Sequence, residues 1–291
     1  MPGKKSIYGI IGRPLNHSLS PLMHNTAFQS LGIDAEYQLF PLKEEELEDF
    51  FQELRTNSSA IMGLNVTVPY KEKVIEYLDN LSPYARKIMA VNTLAISPDR
   101  SLTGFNTDGP GFLTHLTEIG FNPAGKRIAI LGAGGTARAI VGALCLLPER
   151  PHSIRVYNRH PEKAVELIRD LHQRLDAAIV QAVSSIDDLN IELSDLLINA
   201  TPVGLKPDDP CPIAENLLHA NLLVYDVIYN PPKTKWLQLA EGKGIKTSNG
   251  LGMLFYQGVL AFHHWMGYEL DQKTKSKIKK ALQKGGSRDP I

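Results

Sequence analysis

Gly132-Ala133-Gly134-Gly135-Thr136-Ala137 fits the spacing G-x-G-x-x-G/A and stands between an apolar run, Arg127 to Leu131, and a helical pattern. In that context the first glycine permits a tight turn, and the second lets backbone N–H groups approach a pyrophosphate at the helix N-terminus. Ala137 lets the helix pack closely on the strand. The motif therefore points to a bound dinucleotide, and a dinucleotide points to redox chemistry.

The strand that follows ends Tyr157-Asn158-Arg159-His160. An NAD site would offer an Asp or Glu here, about twenty residues past the glycines, to hold the ribose 2′-hydroxyl. That acid is missing. Arg159 can fork onto a 2′-phosphate, and Lys163, one helical turn further on, can add a second positive charge. NADP is thus favoured over NAD, with Asn158 at the same strand end.

A protein that leaves hydride transfer to its cofactor still needs a group to move the hydroxyl proton and donors to orient the substrate. The first third of the chain holds such groups. Asn65-Val66-Thr67-Val68-Pro69-Tyr70-Lys71 alternates so that Asn65 and Thr67 share a face, and it ends at Lys71. Asn106-Thr107-Asp108-Gly109 has the same strand-to-helix form. Strand ends of this kind line the crevice of an open α/β sheet.

These residues need a scaffold, and the chain reads as α/β throughout. Before residue 108, β-rich runs (Ile7 to Ile11, Tyr37 to Phe40, Ile61 to Val68, Leu94 to Ile96) alternate with helical patterns, as in a βαβ series. One helix follows Ser18-Leu19-Ser20-Pro21, where a hydroxyl cap precedes proline, and Gly32 ends it; another spans Lys43 to Leu54. After a helix from Gly109 to Ile119, the runs from Arg127 to Val227 alternate strand and helix, the pattern of a Rossmann-type doubly wound parallel sheet. The expected domains are 1–107 for substrate, 108–249 for NADP, and 250–291, helices that pack back onto the first.

Bulk properties narrow the partners. A chain of 291 residues with 43% hydrophobic side chains can bury about two cores. Its 31 Lys plus Arg balance 31 Asp plus Glu, so no global field draws it to nucleic acid or to an anionic membrane. The basic tail Lys273 to Lys284 reads as a solvated helix face. Cys145 and Cys211 form neither a CxxC motif nor a disulfide framework, and no run reaches the length of a membrane span, so the expected location is cytoplasmic. The nine histidines show no metal spacing, no metal is expected, and His17, His24, His263 and His264 read as packing or surface residues.

Taken together and in order, Ser18 to Pro21, Asn65 to Lys71, Ala90-Val91-Asn92-Thr93, Asn106 to Asp108, Gly132 to Gly135, Asn158-Arg159, Asn199-Ala200-Thr201, Tyr229-Asn230-Pro231 and Gly250 to Leu254 with Gln257 resemble the shikimate dehydrogenase family. The resemblance covers nearly the whole chain. It implies NADP-dependent reduction of 3-dehydroshikimate to shikimate, on the route to chorismate and aromatic amino acids, with Lys71 and Asp108 as the catalytic pair. It also implies that Ser18 and Ser20 hold the substrate carboxylate, that Asn65, Thr67, Asn92, Asp108 and Gln257 reach ring hydroxyls, and that Tyr229 lies near substrate. Thr201, Ile228 and Gly250 would complete the cofactor site. Hydroxyls at a helix start do suit a carboxylate, and neutral amides suit a polyol.

The chain departs from the family's pattern at Met89, where glycine is common, at Pro202, and at His263-His264. Two other readings share these motifs. One is a quinate/shikimate dehydrogenase of broader cofactor or substrate use, and the other is a non-catalytic NADP-binding regulator. A homodimer is one assembly consistent with all three.

Overall fold

The computed structural model describes residues 5–286. The chain divides into two compact units, Met1–Thr107 with Phe255–Ile291, and Asp108–Leu254.

In the first unit β1 (Ser6–Ile11), β2 (Ala35–Phe40) and β3 (Ile61–Val66) pair in parallel, linked by α1 (Ser20–Leu31) and α2 (Leu47–Leu54). Beyond β3 the sheet changes direction: β5 (Thr93–Ile96) runs antiparallel to β3, and β6 (Leu102–Phe105) antiparallel to β5. β4 (Asn80–Leu81), followed by α3 (Pro83–Ile88), closes a six-stranded sheet of order β2-β1-β3-β5-β6-β4. A plain βαβ series is therefore corrected to a mixed sheet. The reason is connection length, since only residues 97–101 join β5 to β6, and parallel neighbours need a crossover of a dozen residues or more.

Two local expectations also shift. Strand β3 stops at Val66 rather than Val68: Tyr70 N–H turns back to the Thr67 carbonyl at 2.9 Å, and Pro69 has no N–H to extend a ladder. Helix α1 starts at Ser20 with Leu19 at the cap, and the Ser18 hydroxyl accepts from Ser20 N–H at 3.3 Å instead of capping deeper in the helix. At the end of α3, Met89 sits at φ 52°, a left-handed backbone that accounts for glycine being the common residue there.

Leu47, Phe51, Leu54, Leu64, Val66 and Leu94 form a core on the α2 side of this sheet. On the other side the Trp265 ring covers Gly63, where an added Cβ would lie 2.5 Å from it. Trp265 belongs to α8 (Leu251–Met266), a helix whose residues from Phe255 onward count with the first unit. Helix α9 (Gln272–Gly286) lies along α1, with the Ser30 and Thr274 hydroxyls 3.1 Å apart.

His24, on α1, is a packing residue as expected, yet a costly one. It is 1% exposed, stacks on Tyr37 at 4.5 Å, and both ring nitrogens are buried, with the Asn65 side chain the polar group that faces them. Burial pushes its pKa down to about 3. The unfolded chain, with a histidine near 6.5, then binds the extra proton first, so stability is full above about pH 6.5 and declines as pH falls, by up to ~1.4 kcal/mol per unit. Between pH 6.5 and 5, the urea midpoint of a His24→Phe variant should fall less than that of the parent; parallel curves would refute the assignment.

The second unit opens with α4 (Asp108–Glu118) and holds an all-parallel sheet of order β12-β11-β10-β7-β8-β9. Its strands are β7 (Arg127–Leu131), β8 (Ser153–Tyr157), β9 (Val180–Val183), β10 (Leu196–Asn199), β11 (Leu223–Asp226) and β12 (Lys246–Ser248). The helices between them are α5 (Gly135–Cys145), α6 (Pro161–His172) and α7 (Lys235–Gly242). Strands β7, β10 and β11 read as unbroken apolar runs because both faces of a parallel sheet are covered. The edge strand β12, Lys-Thr-Ser, has no such run and gives no signal in sequence. The strand order reverses between β7 and β10, which places the ligand edge of a doubly wound sheet at their C-terminal ends. No helix among the described residues is long and apolar enough to cross a membrane.

Candidate active site

The polar residues of the first unit gather into one buried network. Asn65, on β3, donates from its amide to the Asn92 carbonyl and to Thr93 Oγ1, each at 3.1 Å, while its own Oδ1 accepts from the Tyr37 hydroxyl at 2.7 Å. Asn92 accepts Thr107 N–H at 2.7 Å and donates to Thr107 Oγ1 at 2.9 Å and to Gln257 Oε1 at 3.2 Å. Asn65, Asn92, Thr107 and Gln257 are each at most 8% exposed. With both amide hydrogens of Asn65 engaged, what it offers a ligand hydroxyl is the remaining lone pair on Oδ1.

Lys71 lies in the segment that leaves β3. It is 9% exposed, and its carbonyl accepts Val91 N–H at 2.7 Å, which ties it to the segment just before β5 that carries Asn92. Thr67, half-buried, is fixed through its N–H to the Ile11 carbonyl at 2.9 Å. Ser18 is half-buried and Ser20 is 3% exposed, both at the start of α1. Tyr37 has no site role in the sequence reading, and Thr93 enters it only as the last residue of the motif Ala90-Val91-Asn92-Thr93. A tyrosine in an otherwise ordinary strand carries no local mark of its partner 28 positions away.

In the second unit Asp108, 5% exposed, is the first residue of α4 and follows Thr107 directly. Gly132 takes φ 107°, and its N–H bonds the Tyr157 carbonyl at 2.8 Å, so the glycine turn is tied to the end of β8. A Cβ on Gly132 would lie 2.7 Å from the Ala200 carbonyl oxygen, whereas one on Gly134 would meet nothing within 4 Å. The turn is closed against its own sheet and open above Gly134, which is the cradle a pyrophosphate needs. Ala133 and Thr136 are half-buried beside it, and Ala137 is fully buried on the sheet.

Arg159 and Lys163 are exposed at the end of β8 and the start of α6, and Asn158 donates to the His160 carbonyl at 3.0 Å, shaping that corner. Thr201 follows β10, with both its N–H and hydroxyl on Asn199 Oδ1. Ile228, Tyr229 and Gly250 follow β11 and β12, and Gly250 N–H bonds the Ile228 carbonyl at 3.0 Å. These residues share the ligand edge of the sheet and fit a dinucleotide bearing a 2′-phosphate. Among the described residues no cluster of His, Cys, Asp or Glu is arranged to hold a metal ion.

Comparison with known proteins points to one family. Residues 10–94 match the family model described as the shikimate dehydrogenase substrate binding domain. A shikimate dehydrogenase (NADP(+)) of Geobacillus kaustophilus is 41% identical over 283 residues, covering 96% of this chain and 100% of the relative. The crystal structure of shikimate dehydrogenase from Aquifex aeolicus superposes with a TM-score of 0.86 at 34% identity, over 97% of this chain and 99% of that one. A Thermus thermophilus shikimate 5-dehydrogenase in complex with NADP(H) and shikimate gives 0.81 at 34% identity, over 96% and 99%.

Proposed function

The chain belongs to the shikimate dehydrogenase family, and from that premise we propose that it catalyses the reversible, NADP-dependent reduction of 3-dehydroshikimate to shikimate, on the route to aromatic amino acids. The observation that carries this reading is the buried amide and hydroxyl network of Asn65, Asn92, Thr107 and Gln257, which suits a polyol ring and leads along the chain to Lys71 and Asp108. Ser18 and Ser20 take the substrate carboxylate, and Tyr229 lies near the substrate.

NADP, held by Gly132 to Ala137, Asn158, Arg159, Lys163, Thr201, Ile228 and Gly250, supplies the hydride chemistry when bound. The protein moves the proton. In reduction Lys71 gives one to the substrate oxygen as the carbonyl becomes an alcohol, and in oxidation it takes that proton back, with Asp108 as the second member of the pair. The family's functional division follows the chain: 1–107 for substrate, 108–249 for NADP, and the C-terminal helices with the substrate unit. Cys145 and Cys211 are both free, which suits the reducing cytoplasm, and a homodimer is the assembly we propose.

The direct test is shikimate-dependent reduction of NADP by the purified protein, repeated with NAD and with quinate; no turnover on shikimate would overturn the reading. Replacing Arg159 by Gln removes a charge-assisted bond to the 2′-phosphate, and such bonds contribute about 1.5–3 kcal/mol. The KM for NADP should rise roughly 10- to 100-fold while that for NAD stays within a factor of about two. An equal rise for both cofactors would place the arginine elsewhere.

A further inference from the structure

Asp226, the last residue of β11, is the most deeply enclosed acid in the second unit, at 0% exposure. Its Oδ1 accepts from Asn199 Nδ2 at 3.1 Å and from Ile228 N–H at 3.0 Å. Its Oδ2 accepts from Thr234 Oγ1 at 2.7 Å and from Trp236 Nε1 at 2.5 Å. Burial raises the carboxyl pKa above the usual carboxylate range, and the four donors offset that rise only in part. An enclosed acid of this kind is expensive unless fully hydrogen-bonded, and this one is hydrogen-bonded at both oxygens.

What those bonds organise is the second half of the ligand edge. Asn199, held by Asp226, uses its other groups to fix Thr201, through N–H and hydroxyl to Oδ1, and the Val203 carbonyl at 3.0 Å. Ile228, held by the same carboxylate, accepts Gly250 N–H at 3.0 Å. A Cβ on Gly250 would lie 2.0 Å from the Val227 carbonyl oxygen, so these two loops touch backbone to backbone. One side chain thus sets the loops after β10, after β11 and before α8. In a doubly wound sheet the half built from β7 to β9 takes the first nucleotide, here with Arg159 at its corner, and the half built from β10 to β12 takes the second.

We propose that Asp226 is a positioning residue for the nicotinamide half of the cofactor, holding Thr201, Ile228 and Gly250 in register from beneath the site. The inference rests on the reading of this unit as an NADP domain. An Asp226→Asn amide would turn an N–H either toward Trp236 Nε1–H or toward Ile228 N–H, and neither of those can reverse into an acceptor. The loops would lose their common anchor, while the glycine turn and Arg159 keep their own bonds.

The test compares two ligands by calorimetric titration: NADP+, which uses both halves of the edge, and adenosine 2′,5′-bisphosphate, which reaches only the first. In Asp226→Asn the affinity for NADP+ should drop tenfold or more, and that for the bisphosphate should move less than twofold. Thr234→Val, which deletes one of the four donors, should show the same selectivity with a smaller loss, and it carries the test if the first variant does not fold. Equal losses for both ligands, or unchanged NADP+ binding in Thr234→Val, would overturn the positioning role. A parent enzyme that binds neither ligand would overturn the NADP reading and the inference with it.

Discussion

Lys71→Met is expected to lower kcat by about 10²-fold or more in both directions, with the KM for shikimate changed by no more than a few-fold. General acid–base catalysis by a positioned side chain contributes about 10²–10⁴-fold. Methionine keeps most of the apolar stem of a side chain that is only 9% exposed, so packing is largely preserved while the ammonium is lost. Binding should survive because groups proposed to grip the ring and the carboxylate keep bonds of their own, Asn65 to the Asn92 carbonyl, Asn92 to Gln257 Oε1 and Ser20 N–H to the Ser18 hydroxyl. The measurement is steady-state kinetics beside a thermal melt of each protein. A folded variant with kcat within a few-fold of the parent would remove Lys71 from the chemistry.

The second large effect separates folding from cofactor binding within one turn. Gly132→Ala places a Cβ 2.7 Å from the Ala200 carbonyl oxygen and 3.1 Å from Thr201 Cγ2, at a φ of 107° that side chains other than glycine's rarely adopt. The contact is with backbone and cannot be relieved by a rotamer change. Strain of this kind costs about 1–3 kcal/mol, and each kcal/mol lowers the melting temperature of a domain this size by roughly 2–4 °C. Gly134→Ala meets nothing within 4 Å, so its melt should match the parent. Both variants should lose NADP affinity by tenfold or more, the first because the turn is displaced and the second because the methyl group fills the approach to the pyrophosphate. If Gly134→Ala bound NADP normally, the open face of the turn would not be the cradle.

The contrast between these glycines shows how far a local pattern reaches. Spacing alone marks the turn, since G-x-G-x-x-A between an apolar strand and a helix is a short-range backbone requirement. It does not say which glycine is held against β10 and which faces outward. That depends on Ala200, a residue 68 positions away, brought alongside by a strand order that reverses between β7 and β10. The missing acid after β8 was equally legible, because Arg159 lies within one βαβ unit of the glycines. Asp226 left a faint mark, a lone charge closing the apolar run Leu-Val-Tyr-Asp, and its four donors come from three separate segments.

By itself, then, the sequence determined the α/β class, the doubly wound second unit, the dinucleotide turn, the preference for a 2′-phosphate, and the set of polar residues available for substrate. All of these follow from periodicity, from turns, or from residues a few positions apart, where backbone geometry fixes the outcome. Tertiary structure alone decided that β5 and β6 turn the first sheet antiparallel, that Tyr37 fixes the Asn65 amide, that α9 lies along α1, and that Asp226 gathers three loops. Each of these depends on the direction and register with which distant segments meet. Many registers satisfy the same local pattern, and burial with complete hydrogen bonding selects among them only once the whole chain is folded.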